Sequence, residues 1–261
     1  RKLKGSAIPG TKGQPTTTFM RRPSLEHAGI RTGLIGTIET IIGDRHIPAS
    51  NTTPESYTIQ AYFAAMVEAG CQVAVMEVSS QGLKLHRTAG ILFDIGIFTD
   101  LAPDHIGPNE HESFEEYLEC KSRLFRQCRV GIVNADDEHC GQILEGHTCQ
   151  VETYGFSEKA DLRASDVKLV SRPGFLGVAY HVSGLADFDV EIDMPGRFSV
   201  YNSLVAIAVC RHFDISREDV LEALETAQTK GRIEKIKVSD DFTLMIDYAH
   251  NAMSLESLLE T

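Results

Sequence analysis

The sequence predicts an α/β protein built on a mostly parallel sheet with helices on both faces. Three observations predict it. Apolar runs of strand length alternate with amphipathic helical patterns. Those runs are apolar almost throughout, as in strands covered on both faces. Only one stretch, residues 162–194, alternates as exposed antiparallel strands do.

In chain order, "SAIPG" (6–10) reads as a strand running into a turn rich in glycine and threonine. "TGLIGTI" (32–38), "CQVAVMEV" (71–78), "FDIGIFTDL" (93–101) and "RVGIVNAD" (129–136) are rich in Val and Ile and read as buried strands. Between them, "SYTIQAYFAAMVEAG" (56–70) and "SFEEYLECKSRLFRQC" (113–128) space their apolar residues three and four apart, which is helical. Strand, helix, strand at this spacing means βαβ units. "ASDVKLV", "GFLGVAYHV" and "DFDVEIDM" contain no helix and predict a small antiparallel β insert. "SVYNSLVAIAVCRHF" and "SREDVLEALETAQ" predict two helices, the second capped by Ser216. After "KGRIEKI" a fresh strand, "FTLMIDYAH", begins. This strand and the helix begun at the very end read as the start of another domain.

Bulk properties exclude several functions. The 261 residues are 42% hydrophobic, enough for a large core, and carry a net charge of −12. So acidic a chain is not expected to bind nucleic acid or an anionic membrane, which need clustered Lys and Arg. No run approaches the ~20 apolar residues of a membrane span, and no signal peptide opens the chain. The six cysteines form no CxxC pair and are expected to be reduced core thiols of a cytosolic protein.

"GTKGQPTTT" (10–18) has the glycines of a phosphate-binding loop but not its chemistry. Such a loop aims backbone N–H groups at phosphate oxygens, adds a lysine charge and holds Mg²⁺ on a Ser or Thr hydroxyl. Here neutral Gln14 and Pro15, which lacks both a hydroxyl and an N–H, fill the last two positions. Lys12 stands two residues early.

Seven further stretches occur in order: "NTTPES" (51–56), "MEVSSQGLKLHR" (76–87), "FTDLAPDH" (98–105), "FEEYLECKSRLF" (114–125), "GRFSVYN" (196–202), "GRIE" (231–234) and "IDYAHNAMSLE" (246–256). Together with the loop they resemble the Mur ligases over nearly the whole chain, most closely the MurE type. The resemblance implies the family's central ATP-binding domain over residues 1–228 plus the start of its C-terminal Rossmann-like domain over 229–261.

It also implies an activity. A MurE-type ligase is a cytoplasmic enzyme of peptidoglycan synthesis that adds the third amino acid, diaminopimelate or lysine, to UDP-MurNAc-L-Ala-D-Glu. ATP first phosphorylates the D-Glu carboxylate, and the incoming amine then displaces phosphate. The resemblance assigns ATP to Gly10, Thr11, Lys12, Gly13, Gln14, Thr16, Asn202, Arg232 and Asp247. It assigns the muramyl peptide to Asn51, Thr52, Thr53, Ser79 and Arg87. Mg²⁺ falls to Glu77, His105 and Lys121, the last in N6-carboxylated form, with Asp104 and His111 as alternatives near His105. The small-molecule substrates are the expected partners, and a monomer is the expected state. The departures are Gln14 and Pro15 for the loop Lys and Thr, Ser199 for an Asn, and Asp100 for an Asn. They keep open a second expectation, a catalytically silent domain that binds the muramyl peptide or a partner.

Overall fold

A computed structural model describes residues 3–8, 24–103, 106–108, 110–172, 175–226, 234–236 and 244–246. The strands are β1 (Lys4–Ile8), β2 (Thr32–Ile35), β3 (Glu39–Ile42), β4 (Arg45–Pro48), β5 (Val73–Glu77), β6 (Phe93–Phe98) and β7 (Cys128–Asn134). They continue with β8 (Gln150–Gly155), β9 (Leu162–Arg172), β10 (Phe175–Gly184), β11 (Phe188–Ile192), β12 (Glu234–Ile236) and β13 (Leu244–Ile246). Helices among the described residues include α1 (Ser56–Glu68), α2 (Ser80–Lys84), α3 (Phe114–Ser122), α4 (Cys140–Ile143), α5 (Arg197–Arg211) and α6 (Arg217–Thr226), with a 3₁₀ turn at Arg123–Arg126.

Eleven strands form one sheet in the order β11-β10-β9-β8-β7-β6-β1-β5-β2-β3-β4. From β2 through β9 the neighbours are parallel, and both edges are antiparallel. The expected insert at residues 162–194 is therefore not a separate piece: β9 pairs with parallel β8 and carries the sheet outward. Three strands go beyond the sequence reading. The β3–β4 hairpin follows β2, and β8 occupies "QVETYG", whose mixed polarity hides a strand of intermediate burial.

Strand alternation divides the core. In β5 all five residues are buried, with Val73 and Val75 on one face and Ala74 and Met76 on the other. One face packs Ile95, Ile97, Ile132 and Val182 against Val200, Leu204 and Ile207 of α5. The opposite face packs Met76, Phe98 and Val133 with Ile59, Leu83, Tyr117 and Leu124. Each such side chain contributes about 1.5–3 kcal/mol by leaving water. Ser113 caps α3 by accepting from the Glu116 amide, and Ser216 caps α6 from the Asp219 amide, as its sequence position predicts. All six cysteines are free thiols, and Cys140 alone among them is not buried. The β12–β13 pair forms its own two-stranded sheet. No helix among the described residues is long and apolar enough to cross a membrane.

Candidate functional site

The carboxyl ends of the central strands gather the described candidate residues. Glu77 closes β5 and is 3% exposed. It pairs in register with Ile8, the last residue of β1, where the chain leaves the sheet toward residues 10–18. β1 lies between β5 and β6, so the tips of β5 and β6 are separated by one strand rather than adjacent. Open α/β sheets bind ligands at this edge.

The loop after β2 holds Glu77 in place. The Thr37 backbone N–H donates to Glu77 Oε2 at 2.9 Å, and its hydroxyl donates to the same oxygen at 2.5 Å. With its proton so used, Thr37 Oγ1 accepts from the Thr52 hydroxyl at 3.1 Å. Glu77 Oε1 makes no hydrogen bond among the described residues.

Thr53 forms the second knot. Its hydroxyl donates to the Glu77 carbonyl at 3.2 Å and accepts the Ser79 N–H at 2.8 Å. Its carbonyl accepts from Arg87 Nη1 at 3.0 Å. Gly82 is required here, since a Cβ would meet Thr53 Cγ2 at 2.6 Å. Ser79 caps α2 by accepting the Gly82 N–H at 3.0 Å, leaving its own hydroxyl proton to donate elsewhere. Thr52, Thr53, Glu77, Ser79 and Arg87 thus form one hydrogen-bonded group, with exposed Asn51 next to it in the chain.

Lys121 lies on α3, 2% exposed, with its ammonium 4.8 Å from the centre of the Tyr117 ring. Tyr117 contacts His111, ring centres 5.3 Å apart, and His111 Nε2 lies 2.8 Å from Ser80 Oγ. Ser80 opens α2 three residues beyond Glu77, so buried His111 and Tyr117 link the β5 tip to the helix of Lys121. The Glu112 amide, with Lys84 beside it, holds the Glu116 carboxyl below the usual carboxylate range, 3.5 Å from His111 Nδ1.

Asn202 is buried on α5, across the sheet from α1–α3. Its neighbour Tyr201 donates to Asp136 Oδ2 at 2.8 Å, just past the end of β7. Burial, followed by that bond, pushes the Tyr201 phenol up to about 12. Asn134 Nδ2 donates to the Thr99 carbonyl at 2.8 Å, and the Leu101 amide donates to Asp137 at 3.0 Å, so the β6 and β7 tips are tied together. Ser199, at the departed Asn position, donates to the Pro195 carbonyl at 2.8 Å. Gly10, Thr11, Lys12, Gly13, Gln14, Pro15, Thr16, Asp104, His105, Arg232 and Asp247 lie outside the described residues. Thr37, Asn134 and Asp136 were not singled out by sequence reasoning. The available signal was a polar residue at the carboxyl end of each predicted buried strand.

Known proteins share this sequence and fold. Residues 8–210 match the family model described as the Mur ligase middle domain. A "UDP-N-acetylmuramoyl-L-alanyl-D-glutamate--2,6-diaminopimelate ligase" of Caldanaerobacter subterraneus subsp. tengcongensis is 40% identical over 99% of this chain and 53% of its own length. Ligase 1 of that name from Clostridium acetobutylicum is also 40% identical, with the same coverage. The chain therefore spans about half the length of the curated relatives it matches. A solved ligase of the same name superposes with a TM-score of 0.86 at 24% identity, covering 100% of this chain and 54% of that one, which speaks for the fold. The ordered stretches from "NTTPES" onward and the sheet edge they build agree with the matched model, and the chain belongs to the Mur ligase family, whose middle domain it carries at residues 8–210.

Proposed function

We propose that this chain is the ATP-binding core of a MurE-type ligase. The reaction joins an amino acid to UDP-MurNAc-L-Ala-D-Glu through an acyl phosphate. The observation that carries the reading is the single hydrogen-bonded group of Thr52, Thr53, Glu77, Ser79 and Arg87 at the carboxyl edge of β5. Residues from two separate stretches, 51–56 and 76–87, joined through Thr37, meet where such a sheet takes its ligand. The names of the curated relatives favour diaminopimelate over lysine as the added amino acid, and they favour a ligase over a silent domain.

Arg87 presents a planar fork to an anionic group of the peptide substrate. Thr52 and Ser79 lie beside it with hydroxyls for the peptide's polar groups. Residues 10–16, Asn202, Arg232 and Asp247 would hold the nucleotide. Mg²⁺ would rest on Glu77 and His105, together with Lys121 once carboxylated. Glu77 fits a hard cation, since Oε1 is uncommitted among the described residues while Thr37 fixes Oε2. Lys121 as an ammonium does not ligate a metal, and only the carboxylated form suits that role. When bound, Mg²⁺ supplies charge neutralisation for the transferring phosphoryl group. The protein's own part is positioning, which in such transfers is most of the catalysis.

The remaining features follow from the same reading. The domain boundary falls near residue 228, consistent with β12–β13 forming a sheet of their own. The enzyme acts in the cytoplasm as a monomer on small-molecule substrates. In the polypeptide extended to the length of its relatives, the reading expects ATP-dependent amide formation from UDP-MurNAc-L-Ala-D-Glu and 2,6-diaminopimelate, with one phosphate released per bond. It expects none from the 261-residue chain alone, and a mass increase of one CO₂ on Lys121. Micromolar ATP binding without any amide product in the extended polypeptide would establish the silent domain instead.

A further inference from the structure

Glu55 stands immediately before α1, at the position where Ser, Thr, Asp or Asn normally caps the first amides. Its side chain makes no capping bond. It turns instead to Arg87 and pairs through Oε1 with Nη2 at 2.5 Å.

Arg87 is seated for a different partner. Nη1 is held by the Thr53 carbonyl at 3.0 Å. Nη2 has Glu55, but Nε, the other donor on the same edge of the guanidinium, is buried with no hydrogen-bond partner among the described residues. An edge that binds carboxylates through two parallel bonds is therefore half used. The two partners also differ in exposure: the Arg87 side chain is 17% exposed and the Glu55 side chain 67%. The base is anchored in the group around Thr53, while the acid lies on the solvent side and can leave without unpacking the core.

We infer that Glu55 is a stand-in carboxylate. It holds the Arg87 seat until a carboxylate of the peptide substrate displaces it and engages Nε and Nη2 together. This makes Glu55 a determinant of substrate affinity. It pre-orients the guanidinium, shields it from other anions and weakens binding by the energy of one exposed ion pair. The inference rests on the proposal that Arg87 faces the peptide substrate.

The test is a calorimetric titration of UDP-MurNAc-L-Ala-D-Glu into the polypeptide extended to the length of its relatives. Glu55→Gln should bind about two- to fivefold tighter than wild type, the range expected when one exposed competing pair is removed. Glu55→Asp, too short to span the gap, should behave likewise and guards against an effect peculiar to glutamine. Arg87→Lys should weaken binding at least about tenfold, because a point charge cannot reproduce the fork. In the Arg87→Lys background Glu55→Gln should bring no gain. With an analogue whose non-reacting D-Glu carboxylate is an amide, the gain should also vanish. Unchanged or weaker binding by Glu55→Gln overturns the inference, since Glu55 would then not compete with the substrate for the Arg87 seat. Binding indifferent to Arg87→Lys overturns instead the substrate role of Arg87 itself.

Discussion

Thr37 gives both of its donors to one oxygen of Glu77, at 2.9 Å from the backbone and 2.5 Å from the hydroxyl. A buried carboxylate at a strand tip is thereby fixed in one orientation by a residue from the neighbouring loop. A bond to a buried charged acceptor contributes about 1.5–3 kcal/mol. Thr37→Val, which removes the hydroxyl but keeps the shape, should lower unfolding free energy by about that amount, whereas Thr37→Ser should stay close to wild type. Urea denaturation measures both. An unchanged midpoint for Thr37→Val would mean the hydroxyl bond adds nothing to holding Glu77.

Gly82 carries a separate prediction. A Cβ there would lie 2.6 Å from Thr53 Cγ2, and Thr53 links Glu77, Ser79 and Arg87. Gly82→Ala should therefore cost about 1–3 kcal/mol of stability through overpacking. It should also weaken muramyl-peptide binding more than nucleotide binding. Comparing the two affinities in one preparation checks this; equal losses would point to a general unfolding effect.

The loop at residues 10–18 gives a prediction from sequence alone. Gln14→Lys together with Pro15→Thr restores the missing charge and hydroxyl. Affinity for Mg-ATP should rise at least about tenfold, on the scale of one well-aimed donor to a phosphate. No gain in a fluorescent-nucleotide titration would count against aligning this stretch with the family's loop.

Alkaline pH should destabilise the fold. Burial raises the phenols of Tyr154, Tyr180 and Tyr201, the last to about 12. A raised pKa means the folded state keeps its protons after the unfolded chain begins to lose them near pH 10. The stabilising contribution is complete below about pH 10 and is lost as pH rises through the folded value. Melting temperature should therefore fall between about pH 10 and 12, and absorbance titration of folded protein should leave these three phenols un-ionised at pH 10. Tyr201→Phe should flatten part of that fall.

Local chemistry was enough to reveal the parallel strands of the middle of the sheet. β5 and β6 are buried on both faces, so nearly every residue had to be apolar, and that composition is readable without coordinates. The capping serine Ser216 was legible because a cap acts within three residues of itself, whereas Ser113, which caps α3 in the same way, was not singled out. β8 was not, because its burial depends on β7 and β9 and its own residues are mixed. Nor could 162–194 be recognised as the sheet's own edge, since pairing β9 with β8 is a contact between distant elements.

The candidate site divides along the same line. Glu77, Thr53 and Arg87 stood out through ordered motifs, which record chemistry residue by residue. Thr37 as the clasp of Glu77, and Glu55 as the partner of Arg87, emerged only from the folded chain, because hydrogen bonds between positions 40 and 32 residues apart leave no trace in either local stretch.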